Sequence, residues 1–261
     1  MTSDQSINDA KDRVRAQYGS VGDAYVRSEG HATGSDLQRM VELAAPQPTE
    51  RLLDIATGGG HVARTFAPLV ADVVATDLTP EILEHAGNAF REQGLANVTT
   101  ALADAEQLPF PDASFDLVTC RIAPHHFPDP GAFVRESARA LRPGGRFVLV
   151  DSTVPEGAMG EFYNRFELLR DPSHVRSLTI GEWSGLIEAA GMTLVTAETF
   201  TKRHDFDDWT SRSRMSDGDK AELERMMLDA DHTTQAQFAA EIVDGRLVAF
   251  TDAKTLFVAR H

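Results

Sequence analysis

The residues whose chemistry stands out are acids placed at the ends of short apolar runs. In Arg51-Leu-Leu-Asp-Ile-Ala-Thr-Gly-Gly-Gly-His61, Asp54 sits inside an apolar strand that three glycines then break, and a helix can start at His61. A carboxylate in such a run is costly unless hydrogen-bonded or matched by a cation, which makes Asp54 the first ligand candidate. Glycines ahead of a helix start let backbone N–H donors approach a ligand closely. The plainer use of the same stretch is a turn that only closes a βα unit. Asp77 ends a second apolar run, Asp104 follows a third, and Arg121 through His126 follow a fourth. Open α/β sheets bind ligands beyond the carboxyl ends of their strands, which is where these groups collect. An acid after the second strand can accept from both hydroxyls of a ribose. One after the third can accept from an exocyclic amine, with the Ala105 N–H offered to a ring nitrogen. That set describes an adenosine site. No lysine follows the glycines, which excludes a nucleoside-triphosphate loop. Gly58-x-Gly60-x-x-Ala63 also satisfies a relaxed dinucleotide fingerprint, so an NAD(P)-dependent oxidoreductase stands as the alternative. Asp54 weighs against it, because a carboxylate there would repel a pyrophosphate.

The elements that must position these groups alternate. Strands are expected over Arg51 to Ile55, Asp72 to Asp77, Val98 to Ala103, Phe115 to Arg121 and Arg146 to Ser152. Between them run amphipathic helices. Thr79-Pro80 opens one that Gly94 stops; Asp129-Pro130 opens another that Pro143-Gly-Gly145 closes. Alternation of this kind implies an α/β fold, a mostly parallel sheet covered on both faces. Ahead of it, a helix is expected from a Ser35 cap to Ala45, while residues 1 to 30 look peripheral, with glycines that discourage a long helix. Residues 1–45 are assigned as an N-terminal helical lid and 50–152 as a cofactor-binding core. After Ser152 the rhythm changes. Residues 155–245 read as late sheet elements and a helical substrate cap, with Thr179 and Glu182 as a capping box, and 246–261 as a C-terminal β pair. The whole is expected to be a single domain.

Composition narrows the function classes. The chain of 261 residues, 42% apolar and 25% charged, is that of an ordinary globular protein. A net charge of −15 argues against a nucleic-acid backbone as partner. No apolar run is long enough to span a bilayer. The single cysteine, Cys120, fits a reducing, cytoplasmic setting. The nine histidines show no HExxH-type spacing, so no metal is expected.

At this point the chain resembles the class I S-adenosylmethionine-dependent methyltransferases, in the small-molecule branch related to ubiquinone/menaquinone C-methylases. Leu53-Asp-Ile-Ala-Thr-Gly-Gly-Gly60 is similar to the family's D-x-G-x-G-x-G motif. Asp77-Leu-Thr-Pro-Glu-Ile-Leu83, Asp104-Ala-Glu-Gln-Leu-Pro-Phe110, Phe115-Asp-Leu-Val118 and Leu141-Arg-Pro-Gly-Gly145 match later blocks in order and spacing. The resemblance implies a Rossmann-like, doubly wound sheet of seven strands, the last antiparallel. It implies S-adenosyl-L-methionine as cofactor and a small organic molecule as methyl acceptor. Asp54, Ala56, Gly58 and Gly60 would then line the methionine portion, Asp77 the ribose, and Leu78 the adenine face. Asp104 and Ala105 would read the adenine edge, Arg121 would stand beside the cofactor, and Tyr25 and His31 would belong to a segment closing over it. Ala56 departs from the pattern: it occupies the place of the motif's first glycine, where a methyl group disfavours φ > 0.

Methyl transfer from a sulfonium needs the acceptor held in line and water excluded more than it needs acid–base machinery. A base matters only where the acceptor must lose a proton. His125 and His126 stand where such a base would sit, and their plainer reading is a loop pair that bonds backbone. Asp151 can face substrate or cap a turn. His174 is read as a surface turn, and Trp183, Met226 and Met227 as core. The remaining alternative is a non-catalytic module that keeps the adenosine pocket.

Overall fold

The computed structural model describes residues 3–19, 34–213 and 215–261. Its centre is one sheet of eight strands, seven of them in the order β3-β2-β1-β4-β5-β8-β6, with the short β7 paired to β8. The parallel part comprises β1 (Arg51–Ile55), β2 (Asp72–Asp77), β3 (Val98–Leu102), β4 (Phe115–Arg121) and β5 (Leu141–Thr153). β8 (Arg246–Arg260) runs antiparallel to both β5 and β6 (Thr193–Asp205). The expected antiparallel final strand is therefore present.

Period-two alternation explains why helices cover both faces. Leu53, Ile55, Val118 and Phe147 point to one side and pack with Phe133 of α5 (Pro130–Ala140) and Trp183 of α7 (Ile180–Ala189). Leu52, Val73, Leu117 and Val148 point to the other. They pack with Met40 of α2 (Ser35–Ala44), Phe66 of α3 (His61–Phe66) and Phe90 of α4 (Pro80–Glu92). Beyond the strand ends, a third apolar cluster holds the cap. Phe162, Tyr163 and Phe166 of α6 (Ala158–Arg170) meet Trp209 of α8 (Phe206–Ser211) and Met227 of α9 (Asp217–Leu228). Phe238, just past α10 (His232–Gln237), closes it. Trp183 is 1% exposed, a core residue as expected.

Four expectations are corrected. Residues 3–19, expected to hold no long helix, form a 17-residue one, α1 (Ser3–Gly19), which ends at the first of the glycines and buries Ala10. Ser35 is not the cap of α2; Gly34 is. Pro143-Gly-Gly145 lies inside β5, where the register with β4 shifts, rather than between helix and strand. The C-terminal β pair is one strand of 15 residues. β6 is itself 13 residues long and pairs with it from Arg260 back to Ala249, so no turn is needed at Thr251. The strand that folds back on its start is the three-residue β7 (Glu241–Val243).

Candidate active site

A cavity opens at the carboxyl ends of β1, β2, β3 and β4, walled by Asp54, Ala56, Gly58, Asp77, Leu78, Asp104, Ala105, Arg121 and His126. Eight of the eleven residues expected at a cofactor site are thus brought together. Asp54 is 1% exposed. Its Oδ1 accepts from Thr119 Oγ1 at 2.9 Å, across the β1–β4 register, and its Oδ2 from Thr57 Oγ1 at 2.6 Å. Burial pushes its carboxyl up to about 6, against the pull of those two hydroxyls. Asp77 accepts the Gly58 N–H at 3.1 Å and the Thr79 N–H at 3.0 Å, tying the glycine turn to the end of β2. Its carboxyl is also raised by burial.

The glycine turn divides into two roles. Gly58 lines the cavity with φ +52°. Gly60 does not line it: its φ is +75°, its N–H is given to Thr57 O, and a Cβ there would lie 2.5 Å from the Phe90 ring. Its glycine is required by packing. Ala56 takes φ +52° in spite of its methyl group, and Ile122, directly after β4, takes φ +55°. A β-branched residue in that region is a strained position, and both line the cavity.

Arg121 reaches the cavity wall but is fastened in a two-pronged ion pair to Asp36 of α2, at 2.7 and 3.0 Å. Asp104 Oδ1 accepts the Glu106 N–H at 3.0 Å, and Oδ2 accepts from Lys11 Nζ at 2.6 Å. Tyr25 and His31 lie outside the described residues. Lys11, Val14, Thr57, Thr79 and Glu106 also wall the cavity, and sequence reasoning misses all five. Of these, Thr57 alone carries a signal, a hydroxyl three residues after a buried acid. Thr79 Oγ1 is buried without a hydrogen bond.

The two histidines after β4 are separated by their surroundings. His125 Nδ1 is 2.6 Å from Asp151 Oδ1, where the end of β5 meets the loop following β4. Asp151 is fully buried and its Oδ2 has no partner. Burial opposes charge on His125, but the Asp151 carboxylate more than offsets it and raises the imidazole above its ordinary value. With Nδ1–H given to Asp151, Nε2 is the nitrogen that can take a proton. The His125 side chain is 14% exposed and stands behind the cavity wall. His126 lines the cavity, and its Nδ1 lies 3.1 Å from Ser173 O. Burial and the neighbouring His125 hold it at about 3, so it is neutral.

His174, expected on the surface, is 3% exposed. Its Nε2 meets Asn164 Oδ1 at 2.9 Å, its ring lies 5.6 Å from that of His125, and burial holds it at about 4. The reason is a strap: Val175 and Arg176 give both their N–H groups to His125 O, at 2.9 and 3.0 Å. The cap thereby clamps the histidine loop. Among the described residues no group of His, Cys, Asp or Glu is arranged to hold a metal, and no helix is long and apolar enough to cross a membrane.

Comparison with known proteins gives the family. Residues 53–149 match the model of a methyltransferase domain. The chain is 39% identical to the uncharacterised methyltransferase YcgJ of Bacillus subtilis, over 76% of this chain and 77% of that one. It is 29% identical to the ubiquinone/menaquinone C-methyltransferase UbiE of Shewanella frigidimarina, over 73% and 69%. A crystal structure of a candidate methyltransferase from Bacillus halodurans superposes with a TM-score of 0.85 at 42% identity, covering 87% of this chain and 99% of that one.

Proposed function

Since the chain belongs to the class I methyltransferases, we propose that it transfers a methyl group from S-adenosyl-L-methionine to a hydroxyl of a small organic molecule. The cavity suits that cofactor. Asp77 and the unsatisfied Thr79 hydroxyl offer partners to a ribose, Asp104 and the Ala105 N–H to an adenine edge, and Asp54 to an ammonium. Asp54, beside the glycine turn, would repel a pyrophosphate, which counts against the nicotinamide alternative. When bound, the cofactor supplies an electrophilic methyl group on a sulfonium.

The observation that carries the acceptor class is the His125–Asp151 pair. A hydroxyl is a weak nucleophile until it loses its proton, and a positioned imidazole is suited to take that proton. Asp151 fixes the tautomer and steadies the imidazolium that forms. His126, whose imidazole is held well below its ordinary value by burial and by His125, is a poor base. It lines the cavity, with its ring 4.1 Å from that of His125. The fully buried Cys120 suits a reducing cytoplasm.

A second reading, transfer to a ring carbon activated by loss of a neighbouring hydroxyl proton, is favoured by the likeness to UbiE. Incubation with methyl-labelled S-adenosylmethionine and a panel of phenols, alcohols and amines, followed by NMR of the product, tests both. Label on oxygen is expected. Label on carbon selects the second reading, and label on amines alone removes the role given to His125.

A further inference from the structure

α1 presents one face to the purine end of the cavity: Ala10 is buried, Val14 lines the wall, and Lys11 reaches inward with its side chain 13% exposed. Its ammonium lies 2.6 Å from Asp104 Oδ2 and 2.6 Å from Glu106 Oε2. The other oxygens of those acids are also engaged. Asp104 Oδ1 accepts the Glu106 N–H at 3.0 Å, and Glu106 Oε1 accepts the N–H of Asp129, the cap of α5, at 2.7 Å. Lys11 therefore stands against the carboxylate that an exocyclic amine would need. It brings a positive charge and three N–H donors to that spot, of which two are spent on Asp104 and Glu106. Burial opposes the charge, but both acids keep the amine protonated.

We propose that Lys11 is part of the purine subsite and determines which purine edge the cavity accepts. The inference rests on the adenosyl-cofactor reading, in which Asp104 accepts from the amine at position 6 of adenine. A purine with a carbonyl at that position turns a lone pair toward Asp104, a repulsive contact. The remaining N–H of Lys11 can donate to that carbonyl and relieve the repulsion, while an adenine amine shares Asp104 with it. With Lys11 in place the carbonyl edge is penalised less, while the ring N–H beside it still opposes the Ala105 N–H with or without the lysine. Without it, Asp104 and Glu106 face the ligand as bare acceptors, and only the amine is tolerated.

Calorimetry at pH 8 with S-adenosylhomocysteine and S-inosylhomocysteine tests this on wild type, Lys11→Met and Lys11→Arg. The ratio of the two dissociation constants is internal to each variant, so a general loss of fold or of α1 packing lowers both affinities and does not move it. Lys11→Met is expected to widen the preference for the adenosyl compound at least tenfold, and Lys11→Arg to restore most of the wild-type ratio. An unchanged ratio in Lys11→Met, with S-adenosylhomocysteine still bound, overturns the role of Lys11 and leaves the cofactor reading standing. Failure of wild type to bind either compound overturns both.

Discussion

Asp54 makes the binding of a cationic cofactor depend on pH in a calculable way. In the free protein its carboxyl titrates at about 6, raised by burial, against an ordinary 3.8. That difference means the folded protein disfavours the ionised form by about 3 kcal/mol relative to water. The sign follows from linkage. A folded value above the unfolded one means that stability is greatest below about 4, falls as pH rises through 6, and is constantly lower beyond that. At neutral pH the buried carboxylate therefore strains the free protein by about 3 kcal/mol, and an ammonium placed beside it recovers part of that. Binding must select the ionised form and release a proton in acid. If the complex titrates well below 5, affinity falls about tenfold between pH 7 and pH 5, or about 1.4 kcal/mol. Calorimetry with S-adenosylmethionine at pH 5, 6 and 7, in buffers of different ionisation enthalpy, measures both the affinity and the protons released. Asp54→Asn should abolish the pH dependence and remove the fall in stability between pH 4 and 6. Equal affinities at pH 5 and 7 without proton release, or an Asp54→Asn variant that keeps the wild-type profile, would refute the reasoning.

Other outcomes follow from single contacts. His125→Gln or Asp151→Asn should lower turnover by about 10²–10⁴ while cofactor affinity is kept. In wild type, kcat/KM should rise with pH through a value above 6.5, because only neutral His125 accepts a proton and Asp151 raises its titration. A pH-independent rate, read by methyl-label turnover, would contradict this. Asp77→Ala should weaken cofactor binding by about 1–3 kcal/mol, through unpaired ligand hydroxyls and loosened Gly58 and Thr79 N–H groups; calorimetry checks it. Ala56→Gly should stabilise the fold by about 0.5–1 kcal/mol by removing the methyl from a left-handed residue. Gly60→Ala should destabilise it by about 1–3 kcal/mol, as the new methyl meets the Phe90 ring. Urea denaturation compares the last two.

The parallel part of the sheet and the acids at its strand ends were legible in the sequence alone. Short apolar runs ending in Asp54, Asp77 and Asp104 encode strands and strand-end acids within a few residues of each other, so local pattern suffices. Pairings between distant segments were decided only by the tertiary structure. Lys11 meets Asp104 across 93 residues and Arg121 meets Asp36 across 85; no periodicity in either segment announces the contact. The same holds for His125 and His126, which are identical in type and adjacent in sequence. They part only because Asp151 arrives beside one and the Ser173 carbonyl beside the other. A Pro-Ser-His turn is ordinarily solvated, so local pattern points His174 to the surface, yet the cap folds it against the loop after β4. Sequence patterning settles which groups a strand end presents. Which of them becomes a base, a latch or a wall depends on the charge and burial that remote elements bring to it.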